Sequence, residues 1–148
     1  MKVVLISPPL SLKAGHEFAS VQFPVNLGWI ASYLIKHGFD VELWDFTVEQ
    51  FSESSFKERI LKSKPRIVGF SCMTHSILTG AKLAEFVKQA NSSIVTVVGG
   101  AHLTAIPERT LEEFPSFDIG VVGEGELTIL ELCERIRDNL AIDGIKGI

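Results

Sequence analysis

The sequence predicts an α/β domain: a doubly wound, five-stranded parallel sheet, ordered 2-1-3-4-5, with helices on both faces. Three observations lead there. Short, continuous apolar runs recur: Val3-Val4-Leu5-Ile6, Ile67-Val68-Gly69-Phe70, Ile94-Val95-Thr96-Val97-Val98 and Ile119-Gly120-Val121-Val122. Such runs mark strands buried on both faces. Segments of helical periodicity separate them. Each run also ends in a loop of small residues, at the edge where open parallel sheets bind ligands.

The elements follow in order. Residues 2–6 form the first strand, and residues 25–37 form a helix with Leu27, Ile30, Ala31, Leu34 and Ile35 at helical spacing. Gly38 supplies the stop. Residues 40–45 alternate, with Val41, Leu43 and Asp45 on one side and Glu42 and Trp44 on the other; this strand belongs near an edge. A weaker helix over 53–63 is anchored by Phe56 and Ile60. The third strand covers 66–70, and a helix over 77–90 carries Ile77, Ala81, Ala84 and Val87 on one stripe. The fourth strand covers 94–98. A short helix starts near Pro107, a residue suited to a first turn. The fifth strand covers 117–122, and the last helix, 125–139, has an apolar face of Ile129, Cys133, Ile136 and Leu140. Residues 1–140 make one domain. Residues 141–148 carry two glycines and no packing pattern, and read as a frayed end or as the start of a linker to a C-terminal domain.

Composition narrows the function. The 148 residues suit one domain, with 46% hydrophobic and 22% charged residues. The net charge is −4 and no basic cluster stands out, which argues against nucleic acid. Cys72 and Cys133 form no metal-ligand spacing and no disulfide framework, so both read as small core residues in a cytoplasmic protein. No apolar run approaches the roughly 20 residues that span a bilayer, and the first residues are interrupted too soon by Pro8-Pro9 for a signal peptide. Asn91-Ser92-Ser93 reads as a turn.

Catalytic sets are absent: no GxSxG, HExxH or Walker loop occurs, and Asp45 and Asp118 have no visible partner in the sequence. No catalytic or metal-ligating residue is assigned. The candidates are binding residues. Pro8 and Pro9 rigidify the first loop. The long segment Ser11–Phe23, with Gly15, His16 and Phe18, suits a lid. Ser71 and Thr74 offer hydroxyls around Met73, although Thr74 or Ser76 could instead cap the next helix. Gly99 and Gly100 permit positive φ and close approach of a flat group. His102 and Thr104 follow them. Gly123, Glu124, Gly125 and Glu126 open the last helix, where free amides attract polar groups. Thr128 stands where GxGxxG needs its third glycine, so a dinucleotide fingerprint is not supported.

In combination these stretches resemble the cobalamin-binding N-terminal domain of radical S-adenosylmethionine (radical SAM) proteins. The matching segments are Ser7-Pro8-Pro9, Pro24 to Leu34 with His37-Gly38, Val68 to Thr74, Val97 to Glu108 and Val122 to Glu126. The resemblance implies a flavodoxin-like, Rossmann-like fold with cobalamin over the carboxyl edge. It implies a slot for the nucleotide tail lined by Ser71, Met73, Thr74, Gly99, Gly100 and Gly123. It also implies a partner radical SAM domain in the same polypeptide, with S-adenosylmethionine and a [4Fe-4S] cluster, and methyl transfer as the reaction. The chain departs from the wider superfamily in lacking DxHxxG, whose histidine ligates cobalt; none of His16, His37, His75 and His102 follows an aspartate by two. CxxxCxxC is absent too.

Three other readings compete. An FMN-binding electron carrier would want a Ser/Thr/Gly phosphate loop where Pro8-Pro9-Leu10 stands. A phosphoacceptor domain would want acids where Ser7 and Ser71 stand. A ligand-free interaction module is compatible with the sequence.

Overall fold

A computed structural model of the protein describes residues 1–12, 23–49 and 51–148. Strands β1 (Lys2–Ser7), β2 (Asp40–Asp45), β3 (Ile67–Ser71), β4 (Val95–Gly99) and β5 (Ile119–Gly120) form one parallel sheet. Its order is β2-β1-β3-β4-β5, as the sequence predicts, with β2 on an edge. The helices are α1 (Val25–Lys36), α2 (Glu53–Ser63), α3 (Ile77–Ala90), α4 (Ala101–Ala105), α5 (Pro107–Glu113) and α6 (Glu126–Arg137).

Strand alternation sorts the apolar side chains into two cores. Val3, Leu5, Ile67, Val97, Ile119 and Val121 meet Leu27, Ala31 and Leu34 of α1 and Ile129, Leu132 and Cys133 of α6. Val4, Ile6, Trp44, Val68, Phe70 and Val98 meet Phe56 and Ile60 of α2 and the stripe of α3. Trp44 is fully buried between edge-on rings of Phe46 and Phe56. The Arg59 guanidinium lies 4.1 Å from its ring. Asp45 and Asp118 do have partners. Asp45 accepts from the Thr47 amide and hydroxyl. Asp118 ties Lys88 to the Thr96 amide and hydroxyl. Both are structural ties within the sheet and its turns.

Three features differ from the sequence expectation. First, β5 holds only Ile119 and Gly120 rather than 117–122. Its neighbour β4 ends at Gly99, where the chain turns away at Gly100 (φ +99°), so Val122 finds no ladder partner. The Val122 amide donates to the Gly147 carbonyl instead. Second, Ala101–Ala105 is a short helix and not a loop, held by the fully buried Leu103. Third, residues 141–148, read from sequence as lacking a packing pattern, are anchored at one buried residue, although most of the segment is exposed. Ile145 is buried in the core beneath α1 and α6. Arg135 donates to the carbonyls of Ala141 and Asp143, and Thr128 donates to Lys146.

Candidate functional site

The site grows out of the alternation. On the face that carries α1 and α6, side chains shrink toward the carboxyl edge: Ile67, Gly69, Ser71 along β3, and Val95, Val97, Gly99 along β4. Beyond β5 the same alternation runs Ile119, Val121, Gly123. The helices do not follow the shrinking sheet, so a cavity of about 530 Å³ opens between them. Leu5, Gly69, Val97 and Val121 form its floor. Val25, Asn26, Trp29 and Ile30 line it from α1, and Gly123 to Glu126 with Ile129 from α6 and its approach. The opposite face has no such taper. There Cys72 and Pro8 fill the edge against Gly80, where a Cβ would come within 2.5 Å of the Cys72 sulfur.

The sequence candidates divide accordingly. Ser71, Gly99, Gly100, Gly123, Glu124, Gly125 and Glu126 line the cavity. Pro8 and Pro9 are buried outside it, over α3, where the Thr79 hydroxyl donates to the Pro9 carbonyl. Met73 is half exposed outside the lining, and its amide donates to the Ser76 hydroxyl. Thr74 pairs with His102 (Oγ1 to Nδ1, 3.3 Å), and the Thr104 hydroxyl accepts the Gly123 amide at 3.0 Å. His102 and Thr104 therefore brace the rim from α4. The Gly123 amide, read as free from sequence, has a protein partner. The expected lid, Ser11–Phe23, falls largely outside the described residues.

The two central glycines have separate reasons. A Cβ at Gly99 would find only the Val121 carbonyl, at 3.6 Å, which is ordinary contact, and Gly99 has no positive φ. Nothing in the protein itself demands glycine there; the space belongs to the cavity. Gly100 is different. Its φ of +99° with ψ of −178° is glycine territory, and a Cβ would meet the Cys72 carbonyl at 2.6 Å. The close approach expected at both glycines is, at Gly100, an approach by the protein's own backbone.

Several lining residues were not among the sequence candidates for the site, Val25, Asn26, Trp29, Ile30 and Gly69 among them. Helical spacing assigns Ile30 to the core, and Gly69 hides inside an apolar run. The readable signal is the loss of side chain at alternate strand positions. Asn26 reaches across the cavity, its Nδ2 donating to the Ser71 hydroxyl at 2.6 Å. Val25 and Trp29 of the lining stand largely in solvent, as do Phe23 and Leu127, which neighbour lining segments in sequence; the four are 58–72% exposed. Burial pushes the thiols of Cys72 and Cys133 up to about 12, so both stay protonated and serve as core. Among the described residues no helix is long and apolar enough to cross a membrane, and no cluster of three or more metal-binding side chains occurs.

Fold and site together define a doubly wound domain with an open trough at the carboxyl ends of its strands, where such sheets bind ligands. The chain belongs to the B12 binding domain family, which it matches over residues 13–133. It is 32% identical, over its full length, to an uncharacterized methyltransferase of Pyrococcus horikoshii, of which it covers 32%. It is 35% identical over 92% of its length to the anaerobic magnesium-protoporphyrin IX monomethyl ester cyclase of Rubrivivax gelatinosus, covering 24% of that protein. Over 57% of its length it is 28% identical to the cobalamin-dependent radical SAM methyltransferase TokK of Streptomyces tokunonensis, covering 13% of it. The chain thus spans a third or less of these relatives. In fold it is similar to a pilus assembly-related protein of Burkholderia pseudomallei (TM-score 0.55, 10% identity, 95% and 92% of the two chains covered).

Proposed function

We propose that this domain holds cobalamin with the corrin over the carboxyl edge of the sheet and the nucleotide tail in the trough between α1 and α6. The observation that carries the reading is the taper of side chains into a cavity of about 530 Å³, within the usual size range of ligand pockets. A cradle that a valine side chain at Gly99 would fill fits a flat group lying against main chain. Ser71 would supply a hydroxyl to the tail, and Gly69, Gly99 and Gly123 would leave it room. Trp29 and Leu127 would cover apolar surface of the macrocycle at the mouth. Pro8, Pro9, Met73, Thr74, His102 and Thr104 would act from the rim, by holding the loops that meet the ligand. Bound cobalamin supplies a carbon–cobalt centre able to carry a methyl group; the chain's own part is to bind and orient it.

The same reading places a radical SAM domain, with S-adenosylmethionine and a [4Fe-4S] cluster, elsewhere in the same polypeptide, and makes methyl transfer its reaction. Support comes from the names of two relatives, both methyltransferases and one a cobalamin-dependent radical SAM enzyme. A cyclase also stands among the relatives, which makes a reaction other than methyl transfer the second reading for the parent protein.

The test is direct. The 148-residue chain is mixed with hydroxocobalamin, desalted, and its visible spectrum recorded, with FMN in a parallel sample. Retained corrin absorbance supports the proposal. Retained FMN without corrin, or retention of neither, refutes it for this chain.

A further inference from the structure

We infer that the strap formed by residues 141–148 is a working part of the ligand site: it fixes the loop Gly123–Glu126, which makes Thr128 and Gly147 positioning residues for the ligand although neither lines the cavity. The inference rests on the cobalamin reading above and deepens it, by adding an element that acts on the ligand through the loop.

The loop that lines the cavity before α6, Gly123 to Glu126, has few anchors of its own. It contains two glycines, Gly123 stands at φ +77°, and a Cβ there would meet nothing within 4 Å. Backbone of this kind keeps one shape only where its ends are held. One hold is the Thr104 hydroxyl on the Gly123 amide. The strap supplies two more, one on each side of the loop. Just before the loop, the Val122 amide donates to the Gly147 carbonyl at 2.8 Å, on the outer side of the edge strand β5. Just after it, in the first turn of α6, the Thr128 hydroxyl donates to the Lys146 carbonyl at 3.0 Å. The two acceptors are neighbours in the chain, so one short piece of backbone clamps both ends of the loop. The clamp itself is seated. Ile145 is 4% exposed and shares a core with Ile129, Leu132 and Cys133 of α6. Further along the same helix, Arg135 donates to the carbonyls of Ala141 and Asp143. Gly147 is where the clamp is most easily broken. Its φ is +87°, and a Cβ would come within 3.0 Å of Thr128 Oγ1 and 3.6 Å of the Val122 carbonyl. A ligand that needs the loop in this shape binds better when the strap is seated. By reciprocity, the bound ligand seats the strap more firmly.

The experiment uses the full 148-residue chain. Gly147→Ala and Thr128→Val strike the clamp from its two sides, and Ile60→Val, in the core on the opposite face of the sheet, is the control for general destabilisation. Amide hydrogen exchange of the apo proteins is read first. Both strap variants should speed exchange at Gly123 about threefold or more, roughly the worth of one net hydrogen bond, although its own acceptor Thr104 is untouched. Ile60→Val should leave Gly123 within about twofold of wild type. Cyanocobalamin is then titrated where thermal melts show each variant folded, and either strap variant suffices if the other does not fold. The dissociation constant should rise about threefold or more in the strap variants and stay within about twofold in Ile60→Val. Bound cyanocobalamin should in turn slow exchange at the Ile145 amide, outside the cavity lining. Unchanged Gly123 exchange in the strap variants, unchanged affinity beside faster exchange, or equal losses in Ile60→Val would overturn the inference. Failure of the wild-type chain to bind cyanocobalamin would instead overturn the cobalamin reading, and exchange at Gly123 would still decide whether the strap holds the loop.

Discussion

Gly99 and Gly100 are adjacent, yet valine at each should fail in a different way. At Gly99 the Cβ has ordinary clearance of 3.6 Å from the Val121 carbonyl and the backbone is not left-handed. The added methyl groups enter the ligand cavity. Crowding a filled site costs about 1–3 kcal/mol, so corrinoid affinity should fall by roughly 5- to 150-fold, while the apo protein melts within a few degrees of wild type. At Gly100 the φ of +99° and a Cβ 2.6 Å from the Cys72 carbonyl strike the backbone itself. Strain of this kind costs about 1–3 kcal/mol, and the forced shift of β3 adds a similar amount. A total near 3 kcal/mol should lower the melting temperature by about 10 °C for a domain of this size. The assay pairs thermal denaturation of the apo variants with cyanocobalamin titration. A Gly99→Val protein that retains wild-type affinity would refute the placement of the ligand. A Gly100→Val protein that melts like wild type would refute the assignment of Gly100 to the fold.

Other consequences can be checked alongside. Truncating Ile145 to alanine should cost about 2–4 kcal/mol and speed hydrogen exchange at the Val122 amide, which donates to Gly147; unchanged exchange would mean that residues 141–148 do not brace the ligand loop. The hydrogen bond from Lys2 holds the Glu42 carboxyl below its ordinary value, with Trp44 and Ser63 adding to it. Because the folded value is depressed, the stabilisation is present above the ordinary glutamate range and is lost as pH falls through the folded value. Glu42→Gln should therefore lower stability at neutral pH and flatten the acid limb, so that variant and wild type converge below about pH 4.5; an unchanged acid limb would show that Glu42 does not carry it. Both thiols, buried and pushed up to about 12, should resist alkylation at pH 8 until the chain unfolds; rapid labelling of native protein would contradict their burial.

The sequence alone determined the architecture. Apolar runs of strand length, separated by helical stripes, leave few ways to bury both, and right-handed crossovers reduce those to the observed order. The alternating segment 40–45 marked its own edge position, and the helices over 53–63 and 77–90 have the predicted limits. The edge that carries the site was legible too, since every strand-end loop falls there. Tertiary structure decided which loop residues share a space. Strand pleating put Gly69, Ser71 and Gly99 on the α1 and α6 face and Pro8 and Cys72 on the other. That division depends on pairing between strands far apart in sequence. Likewise, only the folded chain brought Asn26 to Ser71, gave the Gly123 amide to Thr104, and showed that a side chain at Gly100 would strike the Cys72 backbone. A glycine in sequence signals that a side chain is unwelcome; only its neighbours in space say what takes the room.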